Sequence, residues 1–170
     1  MLRRILALAL ACAAGTSFGQ LLGDVNPDWK ETEAPPPPAL RTQGLIPVEM
    51  PSGLSLRFAV DPASVSVGAD GVVRYVIVAS SPTGAVNAMY EGLRCNTAEV
   101  KVYARHNPDS GWVPAKDGKW QVLQGTPNYR YSLNVARNGA CFGTSPNGPP
   151  SQIARDLRRS PDEKFDPARR

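Results

Sequence analysis

Apolar and polar positions alternate most regularly in the middle of the chain. Asp70-Gly71, a turn dipeptide, opens the run Val72, Val73, Tyr75, Val76, Ile77, Val78, which only Arg74 interrupts. So uniform a run predicts a strand covered on both faces near its middle. Ser80–Gly84 is a second turn, and Val86–Cys95 follows at hairpin spacing. From Thr97 to His106 the period is two, with Val100, Val102 and Ala104 on one side and Lys101, Tyr103 and Arg105 on the other. That alternation predicts a strand with one buried and one solvated face, and the three strands together a meander. Upstream, Leu54, Leu56, Phe58 and Val60 alternate with Ser55, Arg57 and Ala59, another half-buried strand, which Asp61-Pro62 should break.

Downstream, Trp112–Ala115 and Trp120–Leu123 flank Lys116-Asp117-Gly118-Lys119, a strong hairpin signal. Pro114 cannot donate to a ladder, so its strand is an edge or ends there. Tyr129–Asn138 supports two readings. Tyr129, Tyr131, Leu133 and Val135 alternate as in a strand. Against that, Thr126-Pro127 is a helix start, Tyr129, Leu133 and Ala136 share a helical face, and Asn138-Gly139 is a helix stop. The helix, Pro127–Asn138, is preferred. Ser151 opens a two-turn helix with Ile153 and Leu157 on one face. The body from Gly53 to Leu157 is long enough for one modest core.

The chain's ends change the compartment. Arg3-Arg4 before the apolar Ile5–Ala14, with small residues at Ser17 and Gly19, read as a signal peptide over 1–19, too short to anchor in a bilayer. The rival is a lipoprotein, because Ala9-Leu10-Ala11-Cys12 resembles a lipidation box lacking its large aliphatic first residue. Export to the periplasm removes Cys12 and leaves Cys95 and Cys141 in an oxidising compartment, where one disulfide is the default and a CxxC pair is excluded by their spacing. Residues 20–52, with Pro35-Pro36-Pro37-Pro38, form an extended lead-in that Trp29 could pin to the body. The globular domain spans 53–158, and 159–170 is a charged, disordered tail. No span crosses a membrane in the mature chain.

Charge adds little. The precursor has 19 basic and 15 acidic residues, and without Arg3 and Arg4 the basic count falls to 17. The core is close to neutral, so the basic pI is no sign of a nucleic-acid partner.

The strings DGVVRYVIV, GAVNAMYEGLRC and VYAR, with Trp112 shortly after, resemble the cryptic neisserial protein family, small exported bacterial proteins with no established activity. The resemblance runs from about Trp29 to Leu157. It implies no catalytic residue and no cofactor, and it also favours a helix leading into Cys141.

Hydrolytic or lyase chemistry needs a base beside a nucleophile, or two carboxylates in unlike environments. His106, the single histidine, reads as a solvated turn residue, and no G-x-S-x-G elbow occurs. Asp61, Asp70, Asp109 and Asp117 belong to four separate turns, so no metal site is expected. The cluster worth testing is Tyr90, Glu91 and Arg94 with Lys101, Tyr103 and Arg105 on the next strand. It is either an ion pair setting strand register or a recognition patch with Tyr90 and Tyr103 as flat contacts. The sequence thus predicts an α+β fold: a curved antiparallel β-sheet of about five or six strands with one packed C-terminal helix and a single disulfide. The function expected is non-enzymatic binding of an envelope protein or ligand through the outward face of Thr97–His106. The alternative is a cell-envelope hydrolase using Glu91.

Overall fold

A computed structural model describes residues 26–159. The signal peptide with Cys12, and the tail from 160 onward, lie outside the described residues. A seven-stranded antiparallel sheet is built from β1 (Ile46–Val48), β2 (Arg57–Val67), β3 (Val73–Ser80), β4 (Val86–Arg94), β5 (Glu99–Asn107), β6 (Gly111–Pro114) and β7 (Gln121–Val122). Strands β1 to β6 neighbour one another in chain order, and β7 also pairs with β5. The predicted helix is present as a 3₁₀ turn (Pro127–Tyr129) running into α1 (Arg130–Val135), with a widened last turn at Ala136–Ala140. A two-stranded ribbon, β8 (Cys141–Phe142) and β9 (Ser145–Pro146), leads to α2 (Pro150–Arg158).

Both helices lie on one face of the sheet, where Val73, Tyr75, Ile77, Leu93, Val100 and Val102 meet Tyr131, Val135 and Ile153. Residues Ala34, Leu40 and Leu45 of the lead-in cover the other face, over Val76, Val78, Ala88, Tyr90 and Ala104. That double cover explains why every residue of β3 from Val73 to Ala79 is buried although the sheet is antiparallel. Helix α2 packs close because Gly139 has no side chain. A Cβ there would sit 2.7 Å from the Leu157 nitrogen.

Three local expectations fail, each for a physical reason. Asp61-Pro62 does not end β2. The strand shifts register between Asp61 and Ser66, and the Ser64 hydroxyl, bonded to the Asp61 carbonyl, accepts the Val76 N–H at 2.7 Å. A bulge thus accommodates Pro62 without leaving buried groups unpaired. Leu54 and Leu56 are not strand residues and stand exposed at 52% and 40%. The Lys116–Lys119 turn does not make a hairpin either. β6 and β7 both pair with β5, at its His106 and Val100 ends respectively, so the turn carries the chain along one edge of the sheet.

Cys95 and Cys141, separated by 46 residues, are bridged with Cα atoms 5.6 Å apart, tying the end of β4 to the exit of the helix. Loop entropy alone would give such a bridge about 4 kcal/mol. Cys95→Ser should lower stability by about 3 kcal/mol in a denaturant titration, and unchanged stability would show the bridge to be incidental.

Candidate functional site

The predicted patch is divided by a bulge. Tyr90 faces Ala104 and Glu91 faces Val102, so Tyr103 is the extra residue of β5. Alternation therefore inverts at Tyr103. Val100 and Val102 point to the helix face, while Ala104 points to the lead-in face beside Tyr90. Lys101 and Tyr103 belong to the lead-in face. Arg105, opposite Met89, belongs to the helix face. Gly92 makes room for the bulged ring, since a Cβ there would come within 2.8 Å of Tyr103.

On the lead-in face the side chains are taken up by the chain itself. Lys101 Nζ pairs with Glu31 at 2.8 Å, and the Trp120 indole N–H donates to the same carboxylate at 3.2 Å. Arg94 stacks 3.6 Å from the Trp29 ring and pairs with Glu99, its register partner on β5, at 3.1 Å. No Glu91–Arg94 pair forms, because the two residues lie on opposite faces. Tyr90 is buried against Tyr103 at 5.5 Å rather than offered as a contact. His106 is half-buried within β5, edge-on to Trp112 at 5.2 Å, and the Trp112 N–H donates to the Pro38 carbonyl. On this face the cations and aromatic rings are in contact with the chain's own residues 29–45.

The anchor of this contact is Asp70. Its carboxylate accepts from Arg74 Nη2 at 2.6 Å and Nη1 at 3.1 Å, from the Val72 N–H, and from both the N–H and hydroxyl of Thr32. Its carbonyl accepts the Trp29 indole N–H at 2.8 Å. Burial alone would raise the Asp70 pKa, but the bond from Arg74, aided by Val72 and Thr32, holds it far below the usual carboxylate range. Sequence reasoning read Asp70 only as a turn residue. The available signal was Arg74, a cation inside an apolar strand covered on both faces, which requires a buried acceptor.

Glu91 is wholly buried on the helix face. The Tyr131 hydroxyl donates to it at 2.7 Å, and the Tyr75 and Ser132 hydroxyls donate at 3.0 Å each. Burial pushes its pKa above the ordinary 4.5, and the three hydroxyls only partly offset this. Burial and the Glu91 charge push the Tyr75 and Tyr131 hydroxyls upward in turn. The carboxylate is a keystone between β3, β4 and α1. No oxygen of it reaches solvent, so no substrate can touch it in this arrangement.

These two carboxylates give stability opposite pH slopes. The Asp70 contribution is complete above its unfolded pKa and lost as pH falls through the depressed folded value. The Glu91 contribution is present below 4.5 and lost as pH rises through its raised folded value. The melting-temperature gap between the native protein and Glu91→Gln should therefore narrow from pH 4 to pH 8. A gap that widens over that range would contradict a raised Glu91 pKa.

Above Tyr131 lies an open groove of about 680 Å³. The Tyr131 ring stacks on Phe58 with centroids 4.4 Å apart, and Tyr129 lies 6.5 Å beyond. Leu54, Leu56 and Met89 continue the apolar lining, and Arg105 and Arg130 supply its charges. Of the six residues expected to form a site, only Arg105 lines this groove. Among the described residues, no group of three His, Cys, Asp or Glu side chains is placed to hold a metal ion.

Residues 24–158 match the CNP1-like family, so the matched region takes in both the arm on the sheet and α2. The chain belongs to that family. No curated protein and no solved structure matches it. Among the described residues, no helix is long and apolar enough to cross a membrane, which says nothing of strands.

Proposed function

We propose that the protein is exported to the periplasm and works there as a non-catalytic binding module, through the groove between Met50–Phe58, the Met89–Arg105 strand pair and the Pro127–Tyr131 turn. The observation that carries this reading is where polar chemistry is spent and where it is left open. Glu91 and Asp70 are saturated by internal donors, whereas the groove exposes Leu54 and Leu56 to water beside two arginines. Exposed apolar side chains gathered in a concave site are a feature of binding surfaces. The arginine pair at Arg3-Arg4, the short apolar stretch after it and the Cys95–Cys141 bridge support export.

A hydrolase acting through Glu91 has the raised carboxyl pKa in its favour. It also needs a carboxyl oxygen within reach of substrate, and all the reach here is internal. A photo-crosslinking residue at Leu56, in cells exporting the protein, should give a discrete adduct that the same probe at Phe142, exposed on β8 and outside the groove, does not. Equal labelling at both positions would remove the groove from the proposal.

A further inference from the structure

We propose that the groove takes a single-chain amphiphile with a carboxylate head, a fatty-acid-type ligand; this rests on the binding-module reading. Among the described residues, its only charged lining residues are Arg105 and Arg130, and no carboxylate lines it. Neither arginine has an ion-pair partner among the described residues. The nearest polarisable partner of Arg105 is the Met89 sulfur, 3.0 Å from Nη1, and Glu91 attracts Arg105 only from behind the groove floor. Two exposed guanidinium groups on one apolar groove complement an anionic head, and their planar donors suit a carboxylate.

The rest of the lining suits a flexible chain. Met50 and Met89 are unbranched, flexible side chains that can follow an alkyl tail, and Leu54 and Leu56 add apolar surface beside them. Covering Leu54 and Leu56 removes apolar surface from water. A peptide would bring a run of backbone amides, for which Ser55, Asn87 and Asn128 are the uncharged polar side chains of the lining besides its tyrosines, whereas an acyl chain brings none to satisfy. The floor is pre-formed, because Glu91 holds the Tyr131 hydroxyl from below while Phe58 stacks on the ring, so little ordering is left for binding to impose. At about 680 Å³ the groove lies in the size range of small-molecule sites.

The test is titration calorimetry on the oxidised mature chain with dodecanoate below its micelle concentration, against dodecanol, dodecyl phosphate, dodecyltrimethylammonium and an uncharged apolar peptide. Dodecanoate should bind at least about tenfold tighter than the alcohol. Arg105→Gln with Arg130→Gln should abolish that preference while leaving dodecanol binding unchanged and the fold intact by circular dichroism, and Arg105→Lys with Arg130→Lys should restore part of it. Leu56→Asp should weaken both ligands. Equal binding of dodecanol, preference for the ammonium, tighter binding of the phosphate or the peptide, or no binding at all would each overturn the proposal. Adducts at Leu56 in cells without dodecanoate binding in solution would overturn the ligand class and leave the binding-module reading standing. Dodecanoate binding in solution with no adduct in cells would support the ligand chemistry and count against the groove as the working surface.

Discussion

Replacing Glu91 with alanine should cost the fold about 4 kcal/mol, and the reason is the company the carboxylate keeps. Three hydroxyls, on Tyr75, Tyr131 and Ser132, donate to it inside the core. Truncation removes their common acceptor, and each buried donor left unsatisfied costs about 1–3 kcal/mol before relaxation. The void left under α1 adds to this. Glu91→Gln keeps the shape and one carbonyl oxygen, and its amide N–H groups can donate to the hydroxyl oxygens. That variant should lose only about 1–2 kcal/mol at pH 7. Urea titrations read both, with an unchanged slope confirming that the denatured state is the same. An alanine variant that loses less than about 1 kcal/mol would mean the carboxylate is not the keystone described here. A stable variant lacking a measurable hydrolytic activity of the native protein would revive the enzyme reading.

The sheet was legible because period-two patterns survive wherever one face is buried. β3, β4 and β5 lie close to where Val72–Val78, Val86–Cys95 and Thr97–His106 place them. The helix was legible from its ends, Thr126-Pro127 and Asn138-Gly139, rather than from its interior, where Tyr129, Tyr131, Leu133 and Val135 also spell a strand. The disulfide followed from cysteine arithmetic. What failed was face assignment. A single extra residue at Tyr103 inverts the pleat; the alternating string of β5 does not announce it, and the one signal of a bulge or close approach is Gly92 in the facing strand, which does not say where the extra residue falls. Covering of the second face was legible in the near-continuous apolar run of β3 and in Trp29 as a pin for the arm, but which residues of the arm supply the cover was not, because a tetraproline stretch reads as a spacer whether or not it lies on a sheet. Its partners, Trp29 on Arg94 and Trp112 on Pro38, are long-range contacts that no local pattern encodes. The groove was missed for the same reason, since its walls come from five separated segments.

Asp70→Ala should be as damaging, at about 4 kcal/mol, and its signature should be release of the arm. Arg74 is almost fully buried, and Asp70 is its only ion-pair partner among the described residues. Without that carboxylate the guanidinium becomes an uncompensated buried charge, a change that typically costs about 3–5 kcal/mol. The same substitution removes the acceptor for the Thr32 N–H and hydroxyl, so the segment carrying Trp29 and Glu31 loses its anchor. Trypsin should then cut at Arg41, which is exposed but follows a stretch pinned to the sheet, much faster than in the native protein. Arg74→Met alone should cost less, because Asp70 keeps its donors from Thr32 and Val72. Combining Asp70→Ala with Arg74→Met should recover a substantial part of the loss, since the double variant buries neither charge. If the two losses simply add and the cleavage rate at Arg41 stays at the native value, the pair does not clamp the arm, and Trp29 with its Arg94 and Trp120 contacts must hold it instead.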